Sequence, residues 1–339
     1  MSMELPGTSP PRVSVVVTTF NAALFIEATL DSVLRQTFVD FEIIVVDDGS
    51  TDGTASAVRR VMDSDPRCHM IIQDNRGPSA ARNRGIAEAS GELIAFLDHD
   101  DVWHADKLAM QVAFLDLQPD AGVATCFSAV IDEHGGCLGW RLGGHAAGNV
   151  YTELLEWDMV SGGSVVVVRR RALLMIGPFD ETLRFREDWD MWIRLARRVS
   201  FATVPRALVG YTRRPRNSSR EYEQMAREGA LVLQKARADD PTIGQARLRF
   251  YAARDLFAIA CFCAMDEKHE LAWGYLARSW SITPAPMLRS PRRWAFVAVL
   301  TLQSMLPKPA YRLIFGLLGR VSFQLKRGRP FLASEAAEL

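Results

Sequence analysis

Short apolar runs alternate with amphipathic stretches along the first hundred residues. Residues 13–17 (VSVVV) are a β-branched run, which predicts a strand buried on both faces of a parallel sheet. Ile26, Leu30, Val33 and Leu34 then recur at helical spacing, with Asn21 placed to cap that helix. Residues 41–46 (FEIIVV) predict the next strand, 54–62 a helix and 70–72 a third strand. Gly77 and Pro78 open another helix, with proline in the first turn, where its missing N–H costs nothing. Residues 93–97 (LIAFL) are a further strand. Repeated strand–helix units imply an α/β fold, a mostly parallel sheet with helices on both faces.

The pattern loosens after residue 110. Residues 134–149 hold six glycines and read as a mobile loop. Residues 164–168 predict a strand, and 187–198 a helix with Trp189, Trp192, Ile193 and Ala196 on one buried face. Beyond a polar stretch at 213–223, Ala-rich helical periodicity runs to about residue 281, and the tail 292–329 mixes apolar and basic residues.

Composition narrows the classes. With 48% hydrophobic and 24% charged residues in 339, the chain buries a core and is not disordered. Equal numbers of basic and acidic residues, 40 each, leave no nucleic-acid footprint over the whole chain. The charges are segregated, however. Residues 271–334 carry ten basic and no acidic side chains, whereas residues 1–270 carry 30 basic and 38 acidic ones, a net of −8. Five irregularly spaced cysteines argue against a disulfide framework and for a reducing cytoplasm. Residues 1–12 lack the apolar stretch of a signal peptide. The longest apolar run, 294–306, falls short of the roughly 20 residues a spanning helix needs.

Candidate chemistry sits where the strands end. Asp47 and Asp48 close one predicted strand, and Asp98, His99, Asp100 and Asp101 close another. On neighbouring strands of one sheet these clusters would concentrate negative charge in the crevice where such folds bind ligands, a charge that a cation or a donor-rich ligand must offset. No GxGxxG, P-loop or GxSxG is present, and the histidines lack zinc-ligand spacing.

Five segments, in order, resemble the family 2 glycosyltransferases: 13–21 (VSVVVTTFN), 47–52 (DDGSTD), 75–85 (NRGPSAARNRG), 96–101 (FLDHDD), and 177–181 (GPFDE) leading to 187–190 (EDWD). The resemblance spans roughly residues 12–216. It implies a GT-A catalytic domain with a nucleotide-binding half (12–110) and an acceptor half (111–216), followed by a helical C-terminal region (217–339) with a basic amphipathic tail. It also implies a nucleotide-diphospho-sugar donor, a glycan or lipid-linked glycan acceptor, a divalent metal (Mn²⁺ or Mg²⁺) and inversion at the anomeric carbon.

Each residue keeps a second reading beside the implied one. Asp98 and Asp100 alternate, so on a strand end both carboxylates would face one way as hard metal ligands; the other reading is a cap on a helix beginning near His104. The resemblance sets Thr18, Asp47 and Asp48 against the nucleoside, with Asp48 accepting from the base; Asp47 could instead close an Asx-turn and Asp52 cap a helix. Arg82, near the start of the Pro78 helix, suits diphosphate, whereas Arg76 and Arg84 read equally as solvated charges. Asp188 is the expected general base, with Glu187 second. Asp190 and Arg194 are spaced as a surface pair. The segment 211–218 resembles a loop that closes over diphosphate but lacks the histidine often found there; Arg213 or Arg214 could contact phosphate instead. The basic tail suits either an anionic membrane surface, which would hold a cytoplasmic enzyme at the inner face, or an acidic catalytic body. A non-catalytic nucleotide-sugar-binding scaffold is the competing function, and the complete set Asp98, Asp100 and Asp188 favours the enzyme.

Overall fold

The computed structural model describes residues 10–141, 146–160, 162–213 and 221–284, with a few positions between 294 and 301. These form two compact units. One comprises the described residues up to Val150 and from Met159 to 213; the other comprises Tyr151–Asp158 and the described residues from 221 onward.

The first unit is built on a sheet whose strands, in chain order, are β1 (Val13–Thr19), β2 (Phe41–Asp47), β3 (Cys68–Ile72), β4 (Leu93–Asp98), β5 (Val102–Trp103), β6 (Ala121–Ile131), β7 (Cys137–Arg141), β8 (Val167–Arg169) and β9 (Ser200–Thr212). Their spatial order is β3-β2-β1-β4-β8-β6-β9-β5, with β7 pairing β6. The pairs β2–β3, β1–β2, β1–β4 and β6–β9 are parallel. The short β8 joins the two parallel blocks by antiparallel pairing to β4 and β6. Val13, Val15, Val16 and Val17 are no more than 1% exposed, as a strand covered on both faces requires.

Strand order fixes where a ligand can sit. The chain moves outward from β1 to β2 and β3, then returns to lay β4 on the other side of β1. The crevice at the carboxyl ends of β1 and β4 is therefore the topological switch point of this parallel block. Thr18 and Asp98 are register partners there, and Thr19 faces Asp47. The two acidic clusters thus flank β1 instead of closing adjacent strands, about 10 Å apart at two strand spacings.

Helices α1 (Ile26–Leu34), α2 (Thr54–Ser64), α3 (Pro78–Glu88) and α4 (Lys107–Leu117) connect the strands, followed by α6 (Arg170–Ile176) and α7 (Glu187–Ala196). Helix α3 lies close on β1: a Cβ at Gly85 would come within 2.3 Å of the Val16 Cγ1.

Several sequence expectations need correction. Asn21 does not cap α1, which starts at Ile26; with φ +49° it turns the chain, and its side chain accepts the Thr51 N–H at 2.9 Å. Asp52 does bind the N–H of Thr54 at 2.9 Å, at the start of α2. The strand expected at 164–168 pairs only over Val167–Arg169, because the chain turns at 162–165. The helix expected to reach residue 198 stops at Ala196. Part of the glycine-rich loop, Cys137–Arg141, is the hairpin strand β7.

The second unit contains α5 (Tyr151–Glu156), α8 (Tyr222–Asp239), α9 (Gln245–Met265) and α10 (His269–Ile282). Arg254 of α9 pairs with Glu156 of α5, and the Ser279 hydroxyl of α10 donates to the Ala253 carbonyl at 2.7 Å. Nearly all of the basic tail, from 285 on, lies outside the described residues. Among the described residues no helix is long and apolar enough to cross a membrane.

Candidate active site

The crevice between β1 and β4 gathers residues that are far apart in the chain. Helix α3 is clamped to the loop before α7: Asn83 exchanges hydrogen bonds with the backbone of Phe179 (2.8 and 3.0 Å), and Ser79 donates to the Leu183 carbonyl at 3.0 Å. Phe179, Phe96 and Trp192 pack in edge-to-face and tilted pairs beneath. This docking brings Arg82, in the second turn of α3, to the first turn of α7.

Arg82 is 4% exposed and meets three carboxylates. It donates to Glu187 at 2.8 Å and Asp98 at 2.9 Å, and Asp188 lies at 3.3 Å. One cation against three carboxylates leaves the cluster formally at −2. Burial pushes the Glu187 carboxyl above its ordinary value, and the neighbouring guanidinium only partly offsets that. The Arg82 Nε has no hydrogen-bond partner. Arg82 thus orders acidic side chains inside the protein. Arg76 and Arg84 instead pair with Glu181 and Glu88 at the surface.

The acidic turn differs from its expected form. Strand β4 ends at Asp98, and a turn closed by the Asp101 N–H on the Asp98 carbonyl (3.1 Å) follows, so strand alternation does not orient Asp100. His99 lies against the Thr18 carbonyl, its Nδ1 3.3 Å away. Nor does this cluster cap a helix: α4 begins at Lys107, with Asp106 at its N-cap position. Asp101 is 3% exposed, and its carboxyl is pushed up by burial and then by Asp100 and Asp98.

This donor set suits a hard divalent cation. Two carboxylates, one of them (Asp98) 34% exposed, stand close to two further acids, Glu187 and Asp188, that share Arg82. Among the described residues no group of three His, Cys, Asp or Glu side chains is arranged around one point. A cation on Asp98 and Asp100 would draw its remaining oxygens from a bound diphosphate and water, the usual way Mg²⁺ is held.

On the other flank of β1, Asp48 is 4% exposed and organises the β3–α3 loop. It accepts from Gln73 Nε2 at 2.8 Å, the Arg76 N–H at 2.9 Å and the Gly77 N–H at 2.7 Å. Asp47, 1% exposed, accepts the Ser50 N–H at 2.9 Å and so closes the Asx-turn that was its second reading. Thr18 is 8% exposed at the end of β1. Asp190 and Arg194 do pair, at 2.8 Å, but Asp190 is 3% exposed and the Arg194 fork also binds the carbonyls of Ile176, Gly177 and Pro178, so the pair is internal. Arg213 is exposed, and Arg214 lies outside the described residues.

Sequence reading passed over Gly163 and Ser164. The Ser164 Oγ accepts the Asp98 N–H at 3.1 Å, and its carbonyl accepts the Trp103 indole N–H at 3.1 Å. A Cβ on Gly163 would lie 3.8 Å from both Arg82 Nη2 and Asp188 Oδ2. The signal was slight: two glycines and a serine before an apolar run.

A parallel β3-β2-β1-β4 block with an acidic turn at its switch point defines a GT-A type of protein. Solved structures share that fold. A mannosyltransferase from Pyrobaculum calidifontis, PcManGT, in complex with GDP-Man and Mn²⁺, superposes with a TM-score of 0.58 at 22% identity, covering 92% of this chain and 85% of that one. S. aureus TarS in complex with UDP gives 0.56 at 23% identity, covering 76% and 74%. Residues 14–146 match the family described as Glycosyl transferase family 2. The teichuronic acid biosynthesis glycosyltransferase TuaG of Bacillus subtilis, itself a putative assignment, is 33% identical over 190 residues, 56% of this chain and 73% of that protein. The chain therefore belongs to glycosyltransferase family 2. A Campylobacter jejuni GalNAc(5)-diNAcBac-PP-undecaprenol beta-1,3-glucosyltransferase is 31% identical over 196 residues, covering 56% of this chain and 62% of that protein. An uncharacterized Rickettsia felis glycosyltransferase is 32% identical over 197 residues, but the chain spans only 32% of its length.

Proposed function

We propose that this chain transfers a sugar, with inversion, from a nucleotide-diphospho-sugar to a hydroxyl of a lipid-linked glycan acceptor in cell-surface polysaccharide synthesis. The observation that carries this reading is the meeting of Asp98, Glu187 and Asp188 around Arg82 at the switch point. The teichuronic acid and undecaprenol-linked names of two relatives support the acceptor class.

The residues act as follows. Thr18 and Asp48 border the nucleoside, and the loop that Asp48 holds fixes that border. Asp98 and Asp100 would hold Mn²⁺ or Mg²⁺, which supplies Lewis-acid neutralisation of the leaving diphosphate. Asp188, at the second position of α7, takes the proton from the acceptor hydroxyl as its oxygen bonds to the anomeric carbon and the bond to diphosphate breaks. The first-turn N–H groups and Arg82 favour the ionised form of Asp188 that this requires. Glu187 holds Arg82, and Arg82 in turn holds that carboxylate in place.

In this reading, 12–216 is the catalytic domain and 217–339 a helical region whose basic tail rests on an anionic membrane surface at the inner face. Failure of the chain to float with anionic vesicles, with or without residues 285–331, overturns the membrane part alone. For the catalytic part, a thermal-shift screen of nucleotide diphosphates and their sugars, with and without Mn²⁺, identifies the donor. Asp188→Asn should then abolish turnover while the donor still binds; undiminished turnover removes Asp188 from the role of base.

A further inference from the structure

The turn at 98–101 carries three aspartates, and the third has a different job from the first two. Asp101 lies 3% exposed beneath the turn, and its carboxylate is committed inward. Its Oδ1 accepts the backbone N–H of Thr212, the last residue of β9, at 3.2 Å. The Ser164 hydroxyl lies beside the same carboxyl group and favours its charged form. The Ser164 Oγ in turn accepts the Asp98 N–H at 3.1 Å. Ser164 is itself 3% exposed, and its carbonyl is held by the indole of Trp103, two residues beyond Asp101. Two contacts thus hold the turn at its two ends: Ser164 on the Asp98 backbone, and Asp101 on the end of β9.

We propose that Asp101 is a positioning residue and not a cation ligand: with Ser164 it straps the Asp98–Asp100 turn to the carboxyl end of β9, holding the two outer carboxylates where a divalent cation and diphosphate meet them. The inference rests on Asp98 and Asp100 being the cation carboxylates and adds how they are held. It accounts for a third acid packed against two others: its oxygen accepts a buried backbone N–H at a strand end, which an apolar side chain there would leave unpaired.

Asparagine separates a strap from a ligand. Asp101→Asn keeps a carbonyl oxygen for the Thr212 N–H and offers an N–H to the Ser164 Oγ, but it lacks the charge a ligand needs. The measurement is titration of the full chain with Mn²⁺, with and without the donor found in the screen, by calorimetry. Asp101→Asn should bind Mn²⁺ within about threefold of the parent, whereas Asp101→Ala and Ser164→Ala should each lose about tenfold or more, the usual cost of removing a support behind a metal ligand. Circular dichroism of each variant reports folding, and the asparagine result alone decides if the alanine variants do not fold. Asp101→Asn binding as weakly as Asp98→Asn overturns the proposal and makes Asp101 a ligand. Full affinity in Ser164→Ala overturns the strap. Absence of Mn²⁺ binding by the parent chain, with or without donor, would instead strike the cation reading beneath it.

Discussion

Replacing Arg82 with methionine tests whether its guanidinium is what allows three carboxylates to be held together inside the protein. The substitution keeps much of the side-chain volume beside Phe179 and removes the guanidinium that pairs with Asp98, Glu187 and Asp188. Removing one partner of a buried ion pair costs about 3–5 kcal/mol, mostly the penalty of an uncompensated charge. Glu187 limits that loss, because it can take up a proton. Protonating a carboxyl with an ordinary value of 4.5 at pH 7 costs about 3 kcal/mol, at about 1.4 kcal/mol per unit. The expected deficit is therefore about 3 kcal/mol at pH 7. It should shrink as pH falls towards 5: without Arg82 the folded-state value of Glu187 rises further above its unfolded value, so acidification favours the folded form. Urea unfolding of parent and variant at pH 7 and pH 5 measures both effects. Combining Arg82→Met with Glu187→Gln should recover at least half of the loss, a coupling that a double-mutant cycle isolates. A deficit below about 1 kcal/mol at pH 7, or one indifferent to pH, would refute that role for Arg82.

Two further outcomes follow from groups away from the chemistry. Lys107 is fully buried, its Nζ lies 3.9 Å over the Trp103 ring with no hydrogen-bond partner, and burial pushes its amine down to about 8 from 10.5. Its folded value lies below its unfolded one, so the penalty is complete below pH 8 and fades as pH rises to 10.5. Parent stability should accordingly climb across that window, and Lys107→Met should gain up to about 3 kcal/mol at pH 7, read by chemical denaturation; a loss of stability would contradict the reading. Gly85→Ala should cost about 1–3 kcal/mol, since the new methyl meets Val16 at 2.3 Å where α3 lies on β1; an unchanged melting temperature would refute that close approach.

The parallel block was legible in the sequence because β1, β2 and β4, buried along nearly their whole length, are mostly apolar over six or seven residues, whereas the edge strand β3 is half exposed. The starts of α2, α3 and α7 were legible from equally local signals, helical spacing of apolar residues and, for α3, a proline in the first turn. Other boundaries depended on tertiary partners. Asn21 carries the composition of a cap, yet Thr51, thirty residues on, captures its side chain. Residues 164–166 are as apolar as a strand, but Ser164 is drawn to Asp98 and Trp103 instead of into a ladder.

The site divides along the same line. Sequence alone marked the acidic residues at strand ends and at the start of α7, because carboxylates at those positions carry a chemical signature that survives without coordinates. Which acids face outward and which are committed inward was decided by tertiary structure. Arg82 reaches Glu187 across 105 positions only because Asn83 and Ser79 dock α3 on the loop before α7. Asp101 reads like its neighbours in the sequence and becomes internal only because β9 ends against it. Strand burial and charge spacing are local properties of a chain, whereas the balance of a buried charge depends on whatever folding sets beside it.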